Sequence, residues 1–214
     1  FYTWDGEWSW DAPFGFSNPG HGAHVHPEFA EWQSGGAPIT RVWHAAREND
    51  EFMMLFADRV HRAVHNGGAL DDQVAQDRWN MLNETLRNAV VAESARWGDA
   101  LESLGHPMRT RNTHWQNQVN NIAGLLMGNA AVFIDALRDE NYYPSIDAPR
   151  FSQHGGALLP SSTVSIHAAS GTIYFTEDGS DPRATGGSIS GSAQVYTGPL
   201  AFPTSMTILS LIHI

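Results

Sequence analysis

The sequence predicts an α+β chain, mainly helical over its first two-thirds and ending in a partial antiparallel β-sandwich. Three observations carry that prediction. Between Ile39 and Leu137, apolar residues recur at the i, i+3, i+4 spacing of buried helical stripes. At Tyr142-Tyr143-Pro144 through Ala148-Pro149 the composition turns to Ser, Thr, Gly and β-branched residues. Beyond it, short alternating runs are separated by turn residues, the pattern of an antiparallel sandwich. The expected division is a helical domain over 1–141, a linker over 142–149 with the boundary near residue 147, and a β domain over 150–208.

The elements follow in chain order. Phe1-Tyr2-Thr3-Trp4 reads as a short strand ended by the turn pair Asp5-Gly6. From about Trp8 to Pro38, Gly, Pro, His and aromatic residues without periodicity predict a long ordered loop. Ile39 to Glu48 is a short helix. Glu51 to His65 is a stronger one, with Phe52, Leu55, Phe56, Val60, Ala63 and Val64 on its stripe and Asn66-Gly67-Gly68 as the stop. Asp71 caps a helix that carries Val74, Met81, Leu82, Leu86, Ala89 and Val90 towards Trp97-Gly98. Gly105-His106-Pro107 breaks the pattern. Trp115, Val119, Ile122 and Leu126 mark the next helix, and Val132, Phe133, Ala136 and Leu137 the last. Strands are expected at Thr163–Ile166, Thr172–Thr176 and Gln194–Tyr196, with turns at Asp178-Gly179 and Gly198-Pro199.

Both ends of the sequence call for comment. The chain starts on Phe1 without a methionine, which implies that sequence preceding it is missing. Leu209-Ser210-Leu211-Ile212-His213-Ile214 matches the in-frame translation of the transposon mosaic end used in sequencing libraries. It is therefore expected to be a processing scar, set aside from the fold. On this reading the chain is a fragment.

Composition narrows the function classes. With 42% hydrophobic residues and 8 tryptophans among 214 residues, the chain can build a core. A formal charge of −11 argues against general nucleic-acid binding, which needs a basic face. There is no cysteine, so disulfides and thiolate metal sites are excluded. No apolar stretch reaches the roughly 20 residues of a membrane span.

Asp5 and Glu7, at i and i+2 on a strand exit, can hold a hard cation such as Mg2+ through oxygen. A turn acid beside a solvated glutamate is the plainer reading of the same pair. His21, His24 and His26 invite a zinc site, but no settled fourth ligand accompanies them, and a Gly-rich loop with incidental histidines is favoured. His61 and His65 share a helix face at i, i+4, a spacing open to a metal pair or to a solvated polar face. In Glu93-Ser94-Ala95-Arg96-Trp97-Gly98-Asp99, Glu93 can meet Trp97 and Arg96 can meet Asp99 across one turn. That set is either a structural Arg–carboxylate clamp on a packed Trp or the wall of an active site. Glu177-Asp178-Gly179-Ser180-Asp181 lacks the ligand spacing of a calcium loop and reads as a tight turn, closed to further pairing by Pro182. No nucleophile elbow, phosphate loop or dinucleotide fingerprint is present.

Two stretches resemble known families. Phe1-Tyr2-Thr3-Trp4-Asp5-Gly6-Glu7-Trp8, the segment Glu51-Phe52 to Arg59-Val60, and Val91-Ala92-Glu93-Ser94-Ala95-Arg96-Trp97-Gly98-Asp99 together resemble the C-terminal half of a CotH-type (spore-coat, protein-kinase-like) domain. The likeness runs from Phe1 to about Leu137 and implies a kinase-like C-lobe fragment. In that family a Trp-Asp-x-Asp motif plays the part of the kinase Asp that holds Mg2+ on the ATP phosphates. Here it reads Trp4-Asp5-Gly6-Glu7, which implies a Mg2+ and ATP role for Asp5, with Glu7 a longer-reaching second ligand. The lysine and the catalytic acid of such a domain would lie before residue 1.

Phe151-Ser152-Gln153-His154-Gly155-Gly156, Gly171 through Arg183 and Tyr196-Thr197-Gly198-Pro199 are similar to the immunoglobulin-like domain of chitobiase and β-hexosaminidase C-termini, here without its last strands. That domain is an accessory module with no catalytic residues. Together the resemblances imply a secreted or surface bacterial protein that acts on a protein substrate or associates with a cell-surface polymer. The alternative they leave open is a non-catalytic surface protein with a degenerate kinase-like scaffold.

Overall fold

The structure is a computed structural model that describes residues 38–100, 102–159 and 161–213. Asp5, Glu7, His21, His24 and His26, with the opening strand and the loop after it, lie outside the described residues. The chain divides into two compact units between Tyr143 and Pro144. The first holds six α-helices among the described residues and the second seven short strands, so the chain is α+β.

The helices are α1 (Pro38–Arg47), α2 (Asp50–Val64), α3 (Asp72–Leu86), α4 (Ala89–Trp97), α5 (Gln116–Leu126) and α6 (Asn129–Asp139). Asn49 caps α2 by accepting the Phe52 amide at 3.0 Å, and Asp71 caps α3 by accepting the Gln73 amide at 3.1 Å. The stop after α2 is a left-handed pair, Asn66 at φ 54° and Gly67 at φ 79°. Gly68 follows because a Cβ there would lie 2.2 Å from the Arg62 carbonyl oxygen and 2.3 Å from that of Ala63.

The run from Val74 to Trp97, expected as one helix, is two. Arg87 and Asn88 keep right-handed dihedrals, but the ladder shortens there: the Val91 amide donates to the Asn88 carbonyl, three residues back, at 3.3 Å. Propensity cannot reveal such a break, since both residues remain helix-compatible.

The core of the first unit gathers Val60 and Val64 of α2, Ile134 and Leu137 of α6, and Tyr142. Trp43 packs edge-on against Phe56 at 5.2 Å and Tyr142 at 5.3 Å between ring centroids. The Arg47 guanidinium donates to the buried Tyr142 hydroxyl at 2.8 Å. Two stripes differ from expectation at one residue each. Leu55 faces outward at 52% exposure while Ala57 is buried, and Val132 is exposed while Ile134 is buried. α3 lies on α5 through side-chain donors: the Trp79 indole reaches the Val119 carbonyl at 3.0 Å and Gln76 the Ala123 carbonyl at 3.2 Å. Gly128, at φ 86°, turns the chain from α5 into α6.

The second unit contains β1 (Arg150–Phe151), β2 (Thr163–Val164), β3 (Ile166–His167), β4 (Thr172–Thr176), β5 (Gln194–Val195), β6 (Leu200–Ala201) and β7 (Leu209–His213). All strand pairs are antiparallel: β1 with β3, β2 with β6, and β5-β4-β7 in a three-stranded sheet. The expected strand over Thr163–Ile166 is thus split at Ser165, with β2 and β3 serving different sheets. Val164, Ile166 and Phe175 are buried. Tyr196 ties these pieces together, its hydroxyl accepting the Ile166 amide at 3.0 Å and its own amide donating to Ile173 at 2.9 Å. Leu209–His213, set aside on sequence grounds, forms β7 and pairs with the whole of β4 from Thr172↔His213 to Thr176↔Leu209.

Candidate functional site

The described residues that carry the most distinctive sequence run lie at the C-terminal end of α4. Three alanines with Glu93 and Arg96 favour a helix over Ala89–Trp97 despite two valines, yet none of its residues is buried. Glu93, Arg96 and Asp99 are exposed, and Trp97 is 54% exposed. The Arg96 guanidinium lies over the Trp97 ring at 5.0 Å from its centroid, a cation–π contact. Among the described residues no ion pair joins Arg96 to Asp99. The arginine therefore meets the indole face, and the indole projects towards solvent.

Gly98 positions a second segment against this helix end. It is buried, in right-handed conformation, and donates its amide to the Ser94 carbonyl at 3.0 Å. Its own carbonyl accepts the Arg109 amide at 2.6 Å. A Cβ at position 98 would lie 2.3 Å from the Ser94 carbonyl oxygen and 2.4 Å from that of Arg109. Glycine is needed here for close approach, not for a left-handed cap.

Arg109 leads into a π-helical turn, Arg111–Trp115, that opens α5. The His114 imidazole reaches back to this turn's start, where its Nδ1 accepts the Thr110 amide at 3.1 Å. This is the role of the glutamate in a capping box, taken by a residue one position later because the π turn is wider. An accepting Nδ1 leaves the neutral ring's proton on Nε2. The sequence reading missed Arg109, Thr110 and His114. The signal available was a Thr one residue before a helical pattern, with a hydrogen-bonding side chain four residues on.

The arrangement is an exposed indole carrying a guanidinium, with Glu93 one turn earlier, Asp99 just beyond and Arg109 joined through Gly98. It suits recognition of a flat or charged group at a surface. Among the described residues no group of three or more His, Asp or Glu side chains could hold a metal. His61 and His65 do come together, with ring centroids 4.6 Å apart, and His61 Nδ1 lies 3.2 Å from the Tyr143 hydroxyl. Among the described residues no single helix is long and apolar enough to cross a membrane.

In the second unit the acids of Glu177–Asp181 serve the turn. Asp178 accepts the Ser180 amide at 2.9 Å and Asp181 the Arg183 amide at 2.8 Å. The hydrogen bond from the Ser180 side chain, followed by that from its backbone, holds the Asp178 carboxyl below the ordinary aspartate value.

Searches of protein-family models, of curated proteins and of solved structures find no match to this chain.

Proposed function

We propose that this chain is the C-terminal, mainly helical part of a CotH-like protein kinase, joined to a partial immunoglobulin-like module of the chitobiase and β-hexosaminidase C-terminal type. The observation that carries the proposal is the run Glu93–Asp99. Support comes from the order of the units, helical first and antiparallel β second. The parent protein transfers the γ-phosphoryl group of ATP to a protein hydroxyl. Asp5 would hold the Mg2+, with Glu7 as its second acid, and the bound metal would neutralise charge on the phosphate oxygens. On this reading Glu93, Arg96, Trp97 and Asp99 belong to a wall of the active site. The protein works outside the cell or on its surface, where the β module meets a polymer.

The test uses the full-length parent. ATP binding in the presence of Mg2+ is expected to fall sharply on Asp5→Ala, and equal binding would remove Asp5 from the site. On this reading the lysine and the catalytic acid belong to another part of the parent, so the 214-residue chain alone is expected to show no phosphotransferase activity. ATP-dependent phosphorylation by the isolated chain would sink this reading. Glu7 in place of the second aspartate favours a second reading, a surface scaffold without catalysis. An upstream reading frame without the N-lobe lysine would select it.

A further inference from the structure

We propose that Asn66-Gly67 is a self-modifying site, at which the Asp71 carboxylate promotes conversion of Asn66 to aspartate and isoaspartate. The two residues form the exposed turn between α2 and α3. Gly67 is open, with no atom within 4 Å of where a Cβ would stand, so its backbone can close on the preceding side chain. The Gly67 amide donates to Asp71 Oδ2 at 3.3 Å. The other oxygen of that carboxylate, Oδ1, is held by the Gln73 and Val74 amides at 3.1 and 3.5 Å. The α3 cap thereby fixes a base on the one proton that must leave.

The chemistry balances within the chain and water. The Gly67 nitrogen bonds to Asn66 Cγ as the carboxamide C–N bond breaks. The amide proton passes through Asp71 to the leaving nitrogen, which departs as ammonia, and a succinimide remains. Water then opens the ring at either carbonyl, restoring the amide and leaving a carboxylic acid. Opening at the side-chain carbonyl gives aspartate, and opening at the main-chain carbonyl gives isoaspartate.

Either product places a negative charge at the C-terminal end of α2, where the helix dipole disfavours it, and beside Asp71. Isoaspartate also adds a methylene to the main chain between α2 and α3. The turn is thus a clock built into the helical unit.

The test is ageing of the intact chain at neutral pH, followed by trypsin and mass spectrometry. The peptide Ala63–Arg78 carries Asn66, and fragment-ion sequencing that places the mass increment and the isoaspartate at position 66 separates this site from Gln73, Gln76, the aspartates and, in the variant, position 71. The native chain is expected to convert several-fold faster than the same chain held unfolded in urea. Asp71→Asn, which keeps a favoured helix cap, is expected to slow native conversion to the unfolded rate. Asp71→Ser, another favoured cap, serves if circular dichroism shows the first variant unfolded. A native rate equal to or below the unfolded rate overturns the proposal, as does a folded Asp71 variant that keeps the wild-type rate.

Discussion

The Asp72 carboxylate reaches across the fold to Gly128, accepting its amide through Oδ2 at 2.7 Å, while Oδ1 accepts the Ala130 amide at 2.9 Å. A residue in the first turn of α3 thus caps α6, whose own N-cap residue, Gly128, has no side chain to do so. One carboxylate serves two helix starts, and both dipoles favour its charge. Asp72→Ala is expected to lower the unfolding free energy by about 1–2 kcal/mol. Urea denaturation followed by circular dichroism measures it. Asp72→Asn retains one acceptor and should recover part of the loss.

Leu137 is 1% exposed in the core and Leu55 is 52% exposed, although both occupy positions that helical periodicity assigns to the interior. Leu137→Ala is expected to cost about 2–5 kcal/mol, the usual price of a cavity at a closed site. Leu55→Ala should stay within about 0.5 kcal/mol. The same denaturation series decides between them.

Gly98→Ala sets a Cβ against the Ser94 carbonyl of the helix end and the Arg109 carbonyl, and relief of the second clash pushes that segment away from α4. Tryptic cleavage after Arg109 is expected to accelerate in this variant, because a detached loop opens more often than a docked one. Arg96→Ala leaves the segment docked but uncovers one face of Trp97, so its expected signature is a changed indole fluorescence with unchanged cleavage.

His114→Ala removes the acceptor of the Thr110 amide and is expected to cost about 1 kcal/mol, the net value of one such bond. His114→Gln, whose amide oxygen can accept the same proton, should restore part of it. Thermal unfolding of the two variants is the measurement.

The Asp178 carboxyl is expected to titrate below the ordinary aspartate value, because Ser180 donates to its charged form. A carboxyl held low stabilises the folded turn fully above its unfolded-state pKa. That stabilisation is lost as pH falls through the folded-state value. Carbon chemical shifts of the Asp178 side chain across the acid range report the midpoint, and Ser180→Ala should move it upward.

The fold was largely readable where a local signal sufficed. Asp71 and Asn66-Gly67-Gly68 marked helix ends that the structure contains, and alternation marked Thr172–Thr176. The sequence was silent where the cause is distant. Gly98 looks like a helix stop, but besides the local Ser94 carbonyl it is held close by Arg109, eleven positions on, which no local pattern encodes. The shortened ladder at Arg87-Asn88 uses dihedrals that any helix uses. Leu209–His213 becomes a strand because β4 offers it an edge. For the candidate site, the run Glu93–Asp99 was legible as unusual, while the outward turn of Trp97 was not.

The division of Thr163–His167 between two sheets has a kinetic consequence. Val164 and Ile166 point inward on either side of Ser165, so one short segment sets the register of both β2 with β6 and β3 with β1. A slip by one residue would turn both side chains out to water at once and misalign two sheets together. Neither sheet can then settle while the other is misregistered. The module should assemble in a single concerted step, without a populated half-built form.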